Sequence, residues 1–234
     1  MNVIEGGAVA RMARADDQNQ QTQRGRVISL LLASSNPGKL GEYRALAAGG
    51  ATVQALGLGL LPGFDRLPKF DESAPTFGEN AAGKARHYSQ FAEQLVFADD
   101  SGLVVPALGG APGVHSARYA GTHASDAERV SKLLHELHAQ SCADRRARFV
   151  CVIALAQRGQ VVGVLSAAAE GEILDTPRGE AGFGYDPVFY FPPLNKTFAE
   201  ITREEKNFHS HRGKAFRKLR EFLSSTLATA FSHP

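Results

Sequence analysis

The sequence predicts an α/β fold with a mixed β-sheet flanked by helices. Three observations carry this. Short apolar runs of β character alternate with helical periodicities from about Val27 onward. The first such run, Val27 to Ala33, passes through Asn36-Pro37-Gly38, residues that turn the chain and suit a helix start. Two later runs, Arg148 to Ala156 and Val161 to Ala169, meet around Arg158-Gly159 and read as an antiparallel hairpin inside the alternating pattern.

The elements follow in order. After the first strand, Leu40, Tyr43 and Leu46 recur at helical spacing until Gly49-Gly50 stops them. Leu56 to Ser73, punctuated by Gly57, Gly59, Pro62, Gly63 and Pro68, reads as loop. Thr76 to Glu79 fits a capping box and opens a helix to about Phe91, with Phe77, Ala81, Ala85, Tyr88 and Ala92 on its apolar face. Asn80, Lys84 and His87 share a neighbouring polar face. Leu95 to Ala98 reads as a strand ending at Asp99-Asp100. A loop rich in glycine and proline covers Gly109 to Gly121. Ser125 to Glu128 opens a helix carrying Val130, Leu133, Leu134 and Leu137. After the hairpin, Thr176 to Asp186 is loop, and a last helix runs from about Ser210 to Leu227 with Phe216, Leu219, Phe222 and Leu223 inward.

The 234 residues allow one large domain or two closely coupled lobes, and 43% apolar residues are enough for a real core. A net charge of +2 and the lack of a basic, aromatic-studded strand argue against a nucleic-acid-binding module. No apolar stretch reaches the roughly 18 residues of a membrane span. Two cysteines, Cys142 and Cys151, make no disulfide scaffold and fit a cytoplasmic protein, with Cys151 as buried filler. Residues 1–26 have no signal-like apolar stretch and carry the polar run Asp16 to Gln23, so they read as a disordered extension before a domain over 27–234.

Five segments carry candidate chemistry. Ser34, Ser35, Asn36, Pro37, Gly38 and Lys39 join a strand to a helix N-terminus, where free N–H groups, hydroxyls and a lysine suit an anion. It is not a Walker A loop, which needs Gly where Ala33 stands and Ser or Thr where Leu40 stands; a plain helix cap would look the same. Asp99-Asp100 places two carboxylates at a strand end, on opposite faces, so one aims into a site while the other braces the turn. A carboxylate at a strand end can hold Mg²⁺ and orient a water, and Asp71 or Glu72 offers a second carboxylate to the same metal, although a solvated acidic loop would read alike. Phe183, set between glycines, offers a stacking ring, and Asp186 an acceptor, in the run Phe183, Gly184, Tyr185, Asp186. Lys206, His211 and Arg212 cluster about a helix whose N-cap is Ser210. Cations there oppose the helix dipole, so a bound acceptor would help, and donors suit a carbonyl oxygen but not an amino group.

With these segments in order, the chain resembles the inosine triphosphate pyrophosphatase family, the XTP/dITP diphosphatases. The resemblance runs from about Val27 to Leu223. It rests on Ser-Ser-Asn-Pro-Gly-Lys, Thr-Phe-Gly-Glu-Asn-Ala at Thr76 to Ala81, Ala-Asp-Asp-Ser-Gly-Leu, Leu108 to Gly121, Gly-Phe-Gly-Tyr-Asp-Pro-Val-Phe, and the stretch from Glu-Glu-Lys-Asn to Ser-His-Arg-Gly-Lys-Ala. Maf-type nucleotide pyrophosphatases share a Leu-Ala-Ser start but continue with Ser-Pro-Arg-Arg, which this chain lacks.

The resemblance implies a homodimer, an elongated mixed sheet in two lobes with the nucleotide in the cleft between them, and Mg²⁺-dependent hydrolysis of ITP, dITP and XTP to monophosphate and pyrophosphate. In that scheme Ser34 to Lys39, Ser101, Lys84 and Lys206 bind the substrate. Asp100, with Asp71 or Glu72, holds Mg²⁺, and Asp100 or a partner water at the metal activates the attacking water. Phe183 stacks on the base, while His211, Arg212 and Asp186 read it.

Overall fold

The computed structural model describes residues 27–49, 53–61, 63–140 and 144–230. The extension expected over 1–26, and Cys142, lie outside the described residues. The mixed sheet is present. Seven strands run β1 Ile28–Leu32, β2 Val53–Gly57, β3 Leu95–Val104, β4 Arg146–Gln157, β5 Gln160–Ile173, β6 Phe189–Phe191 and β7 Lys196–Thr197. Their spatial order is β2-β1-β3-β4-β5-β6-β7. β1 lies parallel to both neighbours, and every later pairing is antiparallel. The helices are α1 Pro37–Ala48, α2 Phe77–Ser89, α3 Asp126–Ala139, α4 Arg203–His209 and α5 His211–Ala230.

Period-two alternation on the buried strands sorts side chains between two helical layers. Leu30, Leu32, Phe97, Ile153 and Leu155 pack under α1 and α5 with Tyr43, Phe216 and Leu219. Leu31, Val96, Ala98, Val152 and Ala154 pack under α2 with Ala81, Ala85 and Tyr88. A third cluster at the far end joins Leu133 and Leu137 of α3 to Phe149, Phe189 and Phe198. Cys151 is wholly buried, as expected, and burial followed by Asp99 pushes its thiol up to about 12.

Several expectations are corrected. β3 does not end at Asp99 but continues through Val104, because Asp99 and Asp100 stay paired with Ile153 and Val152. The stretch expected as loop from Leu56 begins inside edge strand β2. Strands β6 and β7 and helix α4 were not anticipated, and the Gly109 to Gly121 loop contains a 3₁₀ segment, Gly113–Arg118. The hairpin turn is as expected: Arg158 and Gly159 both have positive φ, at 48° and 79°.

Candidate active site

The site forms where β1 stops short. β1 pairs with β3 only as far as Phe97. The chain then leaves for α1, so Asp99, Asp100 and Ser101 keep β4 on one side and lack β1 on the other. A cavity of about 450 Å³ opens there, lined by residues of the α2-side core and of the far-end core.

Asp100 lies on the same sheet face as Ala98, toward α2. Its carboxylate accepts a hydrogen bond from Asn80 Nδ2 at 3.0 Å, and it lines the cavity. Burial raises its pKa against the pull of Lys39, Lys84 and Asn80, with Glu72 adding to the rise. Lys84 is buried and pairs with Glu72 at 2.9 Å. Glu72 lines the cavity, whereas Asp71 is exposed and does not. Of the two carboxylates of the acidic loop, Glu72 is the one on the cavity wall. His87, on the same polar face in sequence, instead braces the carbonyl of Pro68 at 2.7 Å.

Asp99 points the other way and is wholly buried. It pairs with Lys39 Nζ at 2.9 Å and Arg212 Nε at 3.3 Å. Burial opposes its charge, but Lys39 and then Arg212 outweigh burial and hold its pKa well below the ordinary carboxylate value. Arg212 also binds Glu42 of α1 and donates to Ser101 Oγ at 2.9 Å. Glu42 pairs with Lys206 at 2.7 Å, and Lys206 pairs with Asp186. A buried chain of alternating charge thus runs Lys39, Asp99, Arg212, Glu42, Lys206, Asp186. Burial opposes the charge of Lys206, yet Asp186 and Glu42 raise its pKa above the usual lysine value. This corrects one inference: the negative charge that tolerates cations at the start of α5 comes from Glu42 and Asp99 of the protein itself. Glu42 was absent from the sequence reading.

The first loop is a capped helix start and a cavity wall at once. Asn36 Oδ1 accepts from Lys39 N–H at 3.0 Å, and Pro37 sits in the first turn. Ser34, Ser35, Asn36, Gly38 and Lys39 line the cavity; Pro37 does not. Ser210 caps α5 through Gly213 N–H at 3.1 Å.

The aromatic loop closes over this floor. A Cβ on Gly38 would stand 2.9 Å from Phe183 Cδ1, so the absence of a side chain there lets the ring lie against the first loop. The Phe183 ring also lies 4.9 Å from Lys206 Nζ and 5.6 Å from the Arg212 guanidinium. Asp186 accepts from Phe183 N–H at 2.8 Å and from Lys206, so one oxygen of the expected base acceptor closes the loop instead. Tyr185 donates to the Ser116 carbonyl at 2.9 Å. His211 is buried and stacked on Phe149 at 4.7 Å, with no partner for Nδ1. Burial, then Arg212 and Lys206, drive its pKa well below the ordinary value, so the ring is neutral.

Apart from Pro37 and Asp71, every sequence-predicted site residue lines this one cavity. Arg118, Asp126 and Arg129 line it too and were not singled out. Asp126 falls inside the helix-opening run Ser125 to Glu128, where a capping signal masks any other use.

The Ham1 family model matches residues 30–222. The chain is 49% identical to the dITP/XTP pyrophosphatase of Geobacillus kaustophilus (strain HTA426), covering 82% of this chain and 92% of that protein. It is 51% identical to the dITP/XTP pyrophosphatase of Gloeobacter violaceus (strain ATCC 29082 / PCC 7421), covering 81% and 91%. Among solved structures, a HAM1 protein from Coxiella burnetii superposes with a TM-score of 0.75 at 42% identity, covering 85% of this chain and all of that one. The Staphylococcus aureus Ham1 protein gives 0.72 at 39% identity, covering 85% and 99%.

Proposed function

The chain belongs to the Ham1 family, and from that membership we propose that it is a pyrophosphatase acting on ITP, dITP and XTP, releasing the monophosphate and pyrophosphate. One observation carries the reading. A carboxylate with raised pKa, three lysines, a helix start and a loop-borne aromatic ring share one cavity.

Lys39, Lys84 and the start of α1 bind the triphosphate and offset charge that develops as the α–β bond breaks. Asp99 fixes Lys39 from behind. Asp100 takes the proton from the attacking water at the α-phosphorus; its raised pKa makes it a better base than an ordinary carboxylate. Phe183 stacks on the base. His211, neutral and with a partnerless Nδ1, reads the base edge beside Arg212. Arg212 spends three N–H groups on Asp99, Glu42 and Ser101, of the five that a guanidinium carries. Donors placed for a purine 6-oxo group lose their partner against the 6-amino group of ATP.

Mg²⁺ is part of the proposal. Among the described residues no three His, Cys, Asp or Glu side chains gather into a metal site. Asp100 and Glu72 on one cavity wall suit an ion that takes one or two carboxylates and otherwise waters and phosphates. When bound there, it would neutralise phosphate charge. A homodimer and a cytoplasmic location complete the proposal. The half-exposed Val161, Val162 and Val164 of β5 offer apolar surface for the first, which sedimentation tests.

The functional test is a panel of ITP, XTP, ATP, dTTP and UTP with Mg²⁺, scored by pyrophosphate release. ITP and XTP should exceed ATP by about a hundredfold in kcat/KM. Preference for dTTP or UTP would move the chain to the Maf-type activity, and no release from any of them would leave a binding protein.

A further inference from the structure

Phe183 sits on a loop that its own sequence leaves loose. Gly182 and Gly184 flank it with φ of 78° and 65°, a conformation glycine enters freely and also leaves freely. Beside the Lys206–Asp186 pair and the packing of the Phe183 ring, residues 183–185 donate three hydrogen bonds that hold the loop. The bond from Phe183 N–H to Asp186 is internal to it. Tyr185 reaches back to the Ser116 carbonyl. The third crosses to α3: Gly184 N–H donates to Asp126 Oδ2 at 2.6 Å.

Asp126 is the first residue of α3 and lines the cavity. Its other carboxylate oxygen pairs with Arg129. Arg129 in turn donates to the carbonyls of Ala117 at 2.9 Å and Ala124 at 2.7 Å. The carboxylate is therefore gripped from behind by a guanidinium anchored on the segment leading into the helix. The helix start does not need it for capping, since Ser125 and Glu128 already close a capping box. Its free direction is toward the aromatic loop.

We propose that Asp126 is a positioning residue for base recognition, a latch that holds Gly184 and thereby keeps the Phe183 ring placed over the cavity. This rests on the reading that Phe183 meets the substrate base. Without the latch, the two glycines let the loop sample other conformations, and ordering it becomes a cost of binding. The phosphate end, built from Asp100, Lys39 and Lys84, does not depend on it. The loss therefore falls on KM and not on kcat.

The chain has no tryptophan, so Phe183→Trp supplies a single indole as a reporter. Adding Asp126→Ala to it should raise acrylamide quenching by about twofold or more, while adding Asp126→Asn, which keeps an acceptor for Gly184, should leave quenching close to the parent. In turnover of ITP, Asp126→Ala should raise KM about tenfold, and the effect should vanish when Phe183→Ala is already present. Unchanged quenching, a loss seated in kcat, or full additivity with Phe183→Ala would each overturn the latch. The quenching arm needs no substrate, so it decides the contact even if wild-type protein releases no pyrophosphate from ITP, a result that would sink the functional reading separately.

Discussion

Asp99 and Asp100 are neighbours in sequence and opposites in use. Asp99, under α1 and α5, is enclosed between Lys39 and Arg212 in a chain of alternating charges, and its pKa is held down. Asp100, under α2, faces a cavity with Asn80 Nδ2 and Ser101 N–H as its donors and Glu72 nearby, and its pKa is raised. The strand's alternation makes the difference, because adjacent side chains enter different layers. One layer thus locks its carboxylate into ion pairs, while the other leaves its carboxylate on the wall of a cavity.

The largest expected effect breaks that comparison at Asp100. Asp100→Asn should lower ITP turnover about a thousandfold. Its thermal midpoint should stay within a few degrees of wild type, since the buried Asn side chain keeps the shape and one oxygen acceptor of the Asp100 carboxylate. A variant that unfolds, or that keeps near-normal rates, would erase the distinction.

Asp99→Asn should do the reverse in kind. Stripping the charge leaves the buried Arg212 with Glu42 alone and the half-buried Lys39 without its partner, for a loss of about 3 kcal/mol in urea unfolding. The pH dependence has a definite sign. A carboxylate whose folded pKa is depressed contributes stability fully above its unfolded value, near 3.9, and loses it as pH falls toward the folded value. Wild-type stability should therefore drop below about pH 4, and Asp99→Asn should show less of that drop.

A smaller contrast sharpens the open side. Glu72→Gln should raise the Mg²⁺ concentration for half-maximal rate about tenfold or more. Asp71→Asn, exposed and outside the cavity, should change it by less than about twofold. Titrations of Mg²⁺ against rate separate the two.

Much of this contrast was legible before the structure. Opposite faces for the two aspartates followed from strand geometry, and the hairpin and the helices of the capping signals followed from local chemistry. What escaped had no local signal. β6 and β7 are three and two residues long and owe their pairing to distant neighbours. Strand β3 runs past its aspartates because β4 continues opposite them. Glu42 looks like any polar residue of a helix, and its partner Arg212 lies 170 residues away. Asp126 was hidden behind a capping motif that reads correctly for another reason.

The central claim is that Asp100 directs water to the α-phosphorus of a purine triphosphate held in this cavity. ITP hydrolysed in isotopically labelled water tests it most directly. The expected result is label in the inosine monophosphate and none in pyrophosphate, with Asp100→Asn forming both products about a thousandfold more slowly. Label in pyrophosphate, or release of inosine diphosphate with inorganic phosphate, would contradict it.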